Sequence, residues 1–191
     1  MDCFKFLSAR ANRVEASPIR ETVRQIAEYQ KKGVRVISFA AGDPDPNSIP
    51  REALGEIAKE VLEKEPRSVT YSPSTGIPEL RDELSKFIER HDGVKVSPEN
   101  IVVTVGGQEA LDLTGRMLID PGDVIITENP SYVNTLLAFK QFGAQIIGVS
   151  VDEEGMKTDA LENTVKKLVN AGKKIKAIYT IPVGHNPRES Q

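Results

Sequence analysis

An α/β fold is predicted: a mostly parallel sheet covered by helices in a three-layer sandwich, preceded by an N-terminal arm and helix. Two observations carry this. From about residue 100 onward, short apolar β-branched runs alternate with amphipathic helical patterns through short loops, as parallel strands joined by helical crossovers do. Within that series, Ile101-Val-Val-Thr-Val-Gly-Gly-Gln-Glu-Ala-Leu111 reads as a strand covered on both faces, two glycines and the first turn of a helix. Composition agrees, since 191 residues that are 39% hydrophobic and 28% charged suit one globular domain or a large piece of one.

Taken in order, residues 1–16 show no sustained period and read as an arm. Ser17 is placed to cap a helix whose first position is Pro18. Ile19, Val23, Ile26 and Ala27 then recur on one helical face, which should be buried. Residues 34–40 read as a short strand, and 42–50 as a loop dense in turn residues. Leu54, Ile57 and Val61 mark a second helix; Leu80, Leu84, Phe87 and Ile88 mark a third, after a polar loop that opens on Tyr71. Strand 101–105 leads into helix 108–118, and Pro121-Gly122-Asp123 turns into strand 124–127. Ser131 is placed to cap a helix reaching about residue 142, and strand 145–151 follows. Leu161, Val165, Leu168 and Val169 give the last helical face, and 175–181 the last strand.

Several function classes are disfavoured. A formal net charge of -3 gives no electrostatic reason to expect nucleic acid or an acidic membrane as partner. No apolar run approaches the roughly 20 residues that span a bilayer. The first residues lack the pattern of a signal peptide, and the single cysteine, Cys3, cannot form an internal disulfide, so a cytoplasmic address is expected. His91 and His185 are far apart and the acidic residues show no ligand spacing, so no metal is expected. The glycine signatures of nucleotide-binding domains are missing.

In an open parallel sheet, ligands bind at the carboxyl ends of the strands. Three stretches should fall there: Gly106-Gly107-Gln108, Glu128-Asn-Pro-Ser-Tyr132, and Pro182-Val-Gly-His-Asn-Pro187. The orphan N–H groups of a helix entered through two glycines form an anion site, and phosphate is the usual occupant. A flat ring in Tyr132 and an amide in Asn186 around the same mouth suit a phosphorylated heteroaromatic cofactor. Arg20 lies beside the apolar face of its helix, and solvation is the plainer fate for it.

The motifs Gly42-Asp-Pro-Asp-Pro, Tyr71-Ser-Pro-Ser-Thr-Gly-Ile-Pro-Glu-Leu-Arg81, Gly106-Gly-Gln-Glu-Ala-Leu111, Pro130-Ser-Tyr132 and Asn186-Pro187 come in the order seen in class I/II aminotransferases. The chain resembles that family, fold-type I enzymes of amino-acid metabolism that use pyridoxal 5'-phosphate. Through Ser17-Pro-Ile-Arg20 and the Tyr71 loop it looks most like the 2-aminoadipate/kynurenine branch. The resemblance implies the large cofactor-binding domain over 46–191, with 1–45 as arm, helix and short strand of the small domain or substrate lid. It also implies roles. Gly106, Gly107 and Gln108 would hold the cofactor phosphate, Tyr132 would stack on its ring, and Asn186 would hydrogen-bond the ring hydroxyl. Tyr71 would reach the partner's phosphate across a homodimer. Gly42 and Asn186 would lie against the substrate, and Arg20 would meet an acidic or bulky substrate side chain. Two departures stand out: Gly107 occupies a position where many relatives carry Ser, and Arg188-Glu-Ser-Gln191 replaces the usual small pair after Asn186-Pro187.

The family's covalent step needs a lysine in a Ser-x-x-Lys stretch downstream of Asn-Pro, and no Ser-x-x-Lys occurs in this sequence. Lys173, Lys174 and Lys176 belong to the wrong edge of the sheet. The expectation is a truncated chain, about the first half of an enzyme that moves an amino group from an L-amino acid to a 2-oxo acid, with no catalytic residue of its own and no activity alone. A lyase or decarboxylase on the same scaffold, or the sensor module of a transcription regulator, would share these motifs.

Overall fold

The computed structural model describes residues 3–39, 42 and 44–187. Contacts group them into two compact units, 1–35 with 106–191, and 36–105.

The first unit is built around β1 (Val124–Asn129), a run of β-branched residues whose first four side chains are at most 1% exposed. β1 pairs in parallel with β2 (Gln145–Asp152) on one side and with β4 (Ile175–Tyr179) on the other. A short β3 (Gly155–Met156), invisible to periodicity at two residues, turns back antiparallel on β2, so the order is β3-β2-β1-β4. Successive side chains of a strand point to opposite faces. Ile125 therefore packs with Ile119, Phe139 and Phe142 beneath α4 (Gly107–Leu118) and α5 (Val133–Lys140). Val124 and Ile126 join Val149 on the other face, against Ala160, Leu161, Val165 and Leu168 of α6 (Thr158–Asn170). The result is helix, sheet, helix, as predicted.

Two details fix the layers. At Gly115 of α4 a Cβ would lie 2.6 Å from the Phe142 ring, so glycine is what lets that ring seat against the helix. Thr135, fully buried in α5, donates to the Tyr179 hydroxyl at 3.1 Å, which joins α5 to β4. At the amino end of β1, buried Asp123 accepts the Asp120 N–H at 2.9 Å and has Lys174 and Lys176 each at 3.3 Å. The Asp120 bond and the two ammonium groups hold its carboxyl below the usual range against the opposing pull of burial. Lys174 and Lys176 thus serve the edge of the sheet opposite the strand ends.

α1 (Pro18–Lys31) begins at Pro18 as predicted, but Ser17 makes no cap bond. Of the expected buried face, Ile19 and Ile26 are half-buried and Val23 is exposed. Ser131 does not cap α5 either: the helix starts one residue later than that role requires, with Tyr132 in the N-cap position, and the Ser131 hydroxyl is buried without a partner among the described residues.

The 36–105 unit carries α2 (Arg51–Lys64) and α3 (Pro78–Asp92), both opening at the turn residues that the sequence offered. Asp45 accepts the Asn47 N–H at 3.0 Å and shapes the turn before α2. Arg81 donates to the Pro98 carbonyl at 2.9 Å, tying α3 to the chain that follows it. Two expectations fail. Residues 34–39 form no strand, and residue 40 lies outside the described residues. Nor is 101–105 a strand: its Val103 N–H goes to the Thr75 carbonyl at 3.0 Å, in the polar loop, and among the described residues no strand ladders with the run. A strand exists through such ladders, which β-branched composition cannot replace. No described residue of this unit is buried.

Candidate active site

The carboxyl ends of β1 and β4 lie side by side, with Thr127 opposite Tyr179. Glu128, the next residue of β1, is 3% exposed, and a carboxylate so placed needs partners. It has three. The Thr180 hydroxyl and the Ile181 N–H, the latter at 3.0 Å, donate to it, and His185 Nε2 lies 3.2 Å from its Oε2. Glu128 therefore anchors the loop that follows β4, and Asn186 comes directly after the buried His185. The sequence offered one signal for this, an acid at the end of a fully apolar strand.

At the start of α4 the chain enters through Gly106, whose φ of +76° is a conformation that side chains other than glycine rarely adopt. Gly107 opens the helix itself. A Cβ on either would meet nothing within 4 Å, so the space over this turn is open. The leading N–H groups of a helix have no internal partner.

Gln108 projects into a cavity of about 760 Å³ that Ser17, Arg20, Tyr132, Asn134 and Gln141 also line. Three of the residues singled out by sequence, Gln108, Tyr132 and Arg20, thus border one space. Asn186 is not among its lining residues. Gly42 and Tyr71 belong to the 36–105 unit: Gly42 is exposed, between residues outside the described set, and the fully exposed Tyr71 borders another cavity, of about 510 Å³, with Arg67, Ser68 and Thr70.

Charge within the larger cavity is unevenly matched. Arg24 is held by Glu21 at 2.6 Å and Glu28 at 2.7 Å; its hydrogen bond to Glu21 raises the guanidinium and lowers the carboxyl from their ordinary ranges. Glu15 is met by Lys140 at 3.1 Å. Among the described residues no carboxylate lies within ion-pair distance of Arg20, which leaves its guanidinium available for an anion. Among the described residues no cluster of His, Cys, Asp and Glu could hold a metal ion, and no helix is long and apolar enough to cross a membrane.

Two connections were not legible in advance. Asn134 donates to the Tyr132 hydroxyl at 2.9 Å, and its carbonyl oxygen accepts from the Ser17 hydroxyl at 3.2 Å. The other is Glu128 with His185.

Residues 34–187 match the family model described as aminotransferase class I and II. The chain belongs to this family. It is 39% identical, over 98% of its length, to aromatic-amino-acid aminotransferase 1 of Thermococcus litoralis, of which it spans 44%. Among solved structures it superposes on an archaeal alanine:glyoxylate aminotransferase with a TM-score of 0.94 and 60% identity, covering all of this chain and 47% of that one. Another similar structure is Pyrococcus horikoshii kynurenine aminotransferase in complex with PMP, at a TM-score of 0.85 and 36% identity, covering 97% of this chain and 45% of that one. The likeness to the kynurenine branch that the motifs suggested is thus present, and the chain spans less than half the length of these relatives.

Proposed function

We propose that this chain supplies the phosphate turn, the ring platform and the substrate-facing helix of an enzyme that transfers an amino group from an L-amino acid to a 2-oxo acid through pyridoxal 5'-phosphate. The transfer is ping-pong, the donor leaving as a 2-oxo acid before the acceptor arrives. One observation carries the reading: Gln108 at the mouth of a helix, the Tyr132 ring and an available guanidinium in Arg20 border a single cavity. The open space over Gly106 and Gly107 fits a phosphate, which the N–H groups there and the Gln108 amide would hold.

When bound, the cofactor supplies an aldehyde that carries the amino group and a ring that accepts electron density. The chain's own residues bind and orient. Tyr132 would stack on the ring, and Asn186, on the loop anchored by Glu128, would hydrogen-bond the ring hydroxyl. Arg20 would receive a side-chain carboxylate of the donor in a fork of N–H groups. Gly42 would meet the substrate through its backbone. Tyr71 would serve the partner's phosphate in a homodimer, with residues 1–45 as lid and 46–191 as the start of the cofactor domain. The Schiff-base lysine would lie outside this chain, and the address would be cytoplasmic.

The experiment is a visible absorption spectrum of the complete gene product with pyridoxal phosphate, followed by 2-aminoadipate, kynurenine, glutamate, alanine or leucine. The band of the bound cofactor should be bleached by at least one donor. No change with any donor counts against transamination.

A further inference from the structure

Ser17 is in the cap position of α1, yet its hydroxyl satisfies no N–H of that helix. It donates instead to the side-chain carbonyl of Asn134, 117 residues away, at 3.2 Å. The amide nitrogen of the same Asn134 donates to the Tyr132 hydroxyl at 2.9 Å. All three side chains are half-buried and border the cavity that also holds Arg20 and Gln108. An amide is the group that can do this, because it offers an acceptor at one atom and donors at the other. Residues three apart on a helix share a face, so whatever fixes Ser17 also fixes the direction from which Arg20, three residues on, enters the cavity.

Among the described residues, two polar fastenings of the arm elsewhere on this unit are weaker in kind. The Glu15–Lys140 pair is exposed on both sides, where ion pairs contribute little. Arg10 sits over the Phe142 ring at 4.9 Å, well before the helix begins. Among the described residues, the Ser17–Asn134–Tyr132 chain of hydrogen bonds joins the start of α1 to the ring that lines the cavity.

We infer that Asn134 is a positioning residue: it clasps the start of α1 to the Tyr132 hydroxyl and thereby sets the reach of Arg20 toward ligands that carry a second carboxylate. This rests on the proposed function for the ligand, but the clasp itself does not. The enzyme would then prefer acidic donors over small neutral ones by virtue of a contact made on α5, away from Arg20 itself.

The test uses Ser17→Ala, which removes the arm's half of the clasp and leaves Asn134–Tyr132 in place, with Ser17→Thr as the conservative rescue and Asn134→Ala as the variant lacking both halves. Hydrogen exchange of the complete gene product, without ligand, reads residues 8–22. Protection should fall about fivefold in Ser17→Ala, the factor one ordinary hydrogen bond is worth, and return in Ser17→Thr. Combining Ser17→Ala with Asn134→Ala should lower protection no further than Asn134→Ala alone, as coupled partners require. In steady-state kinetics, KM for glutamate relative to KM for alanine should rise about fivefold in Ser17→Ala and recover in Ser17→Thr. Unchanged exchange in Ser17→Ala overturns the clasp; lost protection with an unchanged glutamate-to-alanine ratio overturns its role in selecting the ligand. If the unsubstituted protein turns over no amino acid, the aminotransferase reading falls, while the exchange experiment still decides the clasp.

Discussion

Val124-Ile-Ile-Thr127 and Ile101-Val-Val-Thr-Val105 are nearly the same text and have opposite fates. The first is the central strand of the sheet, paired on both sides and at most 1% exposed. The second is not part of any strand, with Val102 57% and Val105 89% exposed. Both are β-branched and apolar, so intrinsic preference cannot separate them. Neighbours do: β1 finds β2 and β4 across helical crossovers, whereas Val103 of the second run bonds the polar loop at the Thr75 carbonyl rather than a strand. The lesson extends to the units that hold them. Helices α4, α5 and α6 pack their apolar faces on a sheet; α2 is exposed along its whole length, and α3 half-buries only Leu84 and Ile88 of its apolar face.

The sharpest way to break this comparison is truncation in each run. Ile126→Ala should destabilise by about 2–5 kcal/mol, through lost transfer and the cavity left between β1 and α6. Val102→Ala should stay within about 0.5 kcal/mol, as for other exposed positions. Denaturant unfolding of the two variants checks both; equal losses would refute the contrast. At the end of β1, Glu128→Ala should cost about 3 kcal/mol, because it removes the charged acceptor that the Ile181 N–H and the Thr180 hydroxyl share. Glu128→Gln should cost less in the same assay. On the helix layer, Gly115→Ala drives a methyl group into the Phe142 ring and should cost about 1–3 kcal/mol. Gly107→Ala, over open space, should be close to neutral in unfolding.

At the other end of the strand the expectation concerns pH. The Asp123 carboxyl is held below its ordinary range in the folded chain, first by the Asp120 N–H and then by Lys174 and Lys176. A carboxyl depressed on folding contributes stability that is complete above its unfolded value, about 4, and is lost as pH falls through the lower folded value. Acid unfolding should therefore be shallower in Asp123→Asn than in the unsubstituted chain. A slope unchanged below about pH 4 would show that the pairing contributes nothing.

How far the text of the chain carried the reader follows the same division. Prolines at helix starts and one-face periodicity were enough for α1, α2 and α3. Alternation was enough for β1, β2 and β4. The two supposed strands at 34–40 and 101–105 were not recoverable, since a ladder depends on a partner that the run itself does not name. Of the site, the order of motifs singled out Gln108, Tyr132 and Arg20, which line one cavity. Ser17 was legible as a helix boundary but not as a partner of Asn134, because that hydrogen bond spans 117 residues. Glu128 was visible only as an acid in an apolar neighbourhood, and the burial that makes it an anchor came with the fold.

The most direct measurement is the affinity of the complete gene product for pyridoxal 5'-phosphate, titrated by visible absorption in the unsubstituted protein, in Gln108→Ala and in Tyr132→Ala. The account expects each substitution to weaken binding about tenfold, the loss of a charge-assisted hydrogen bond or of a stacked ring. Binding of equal strength in all three proteins would contradict it.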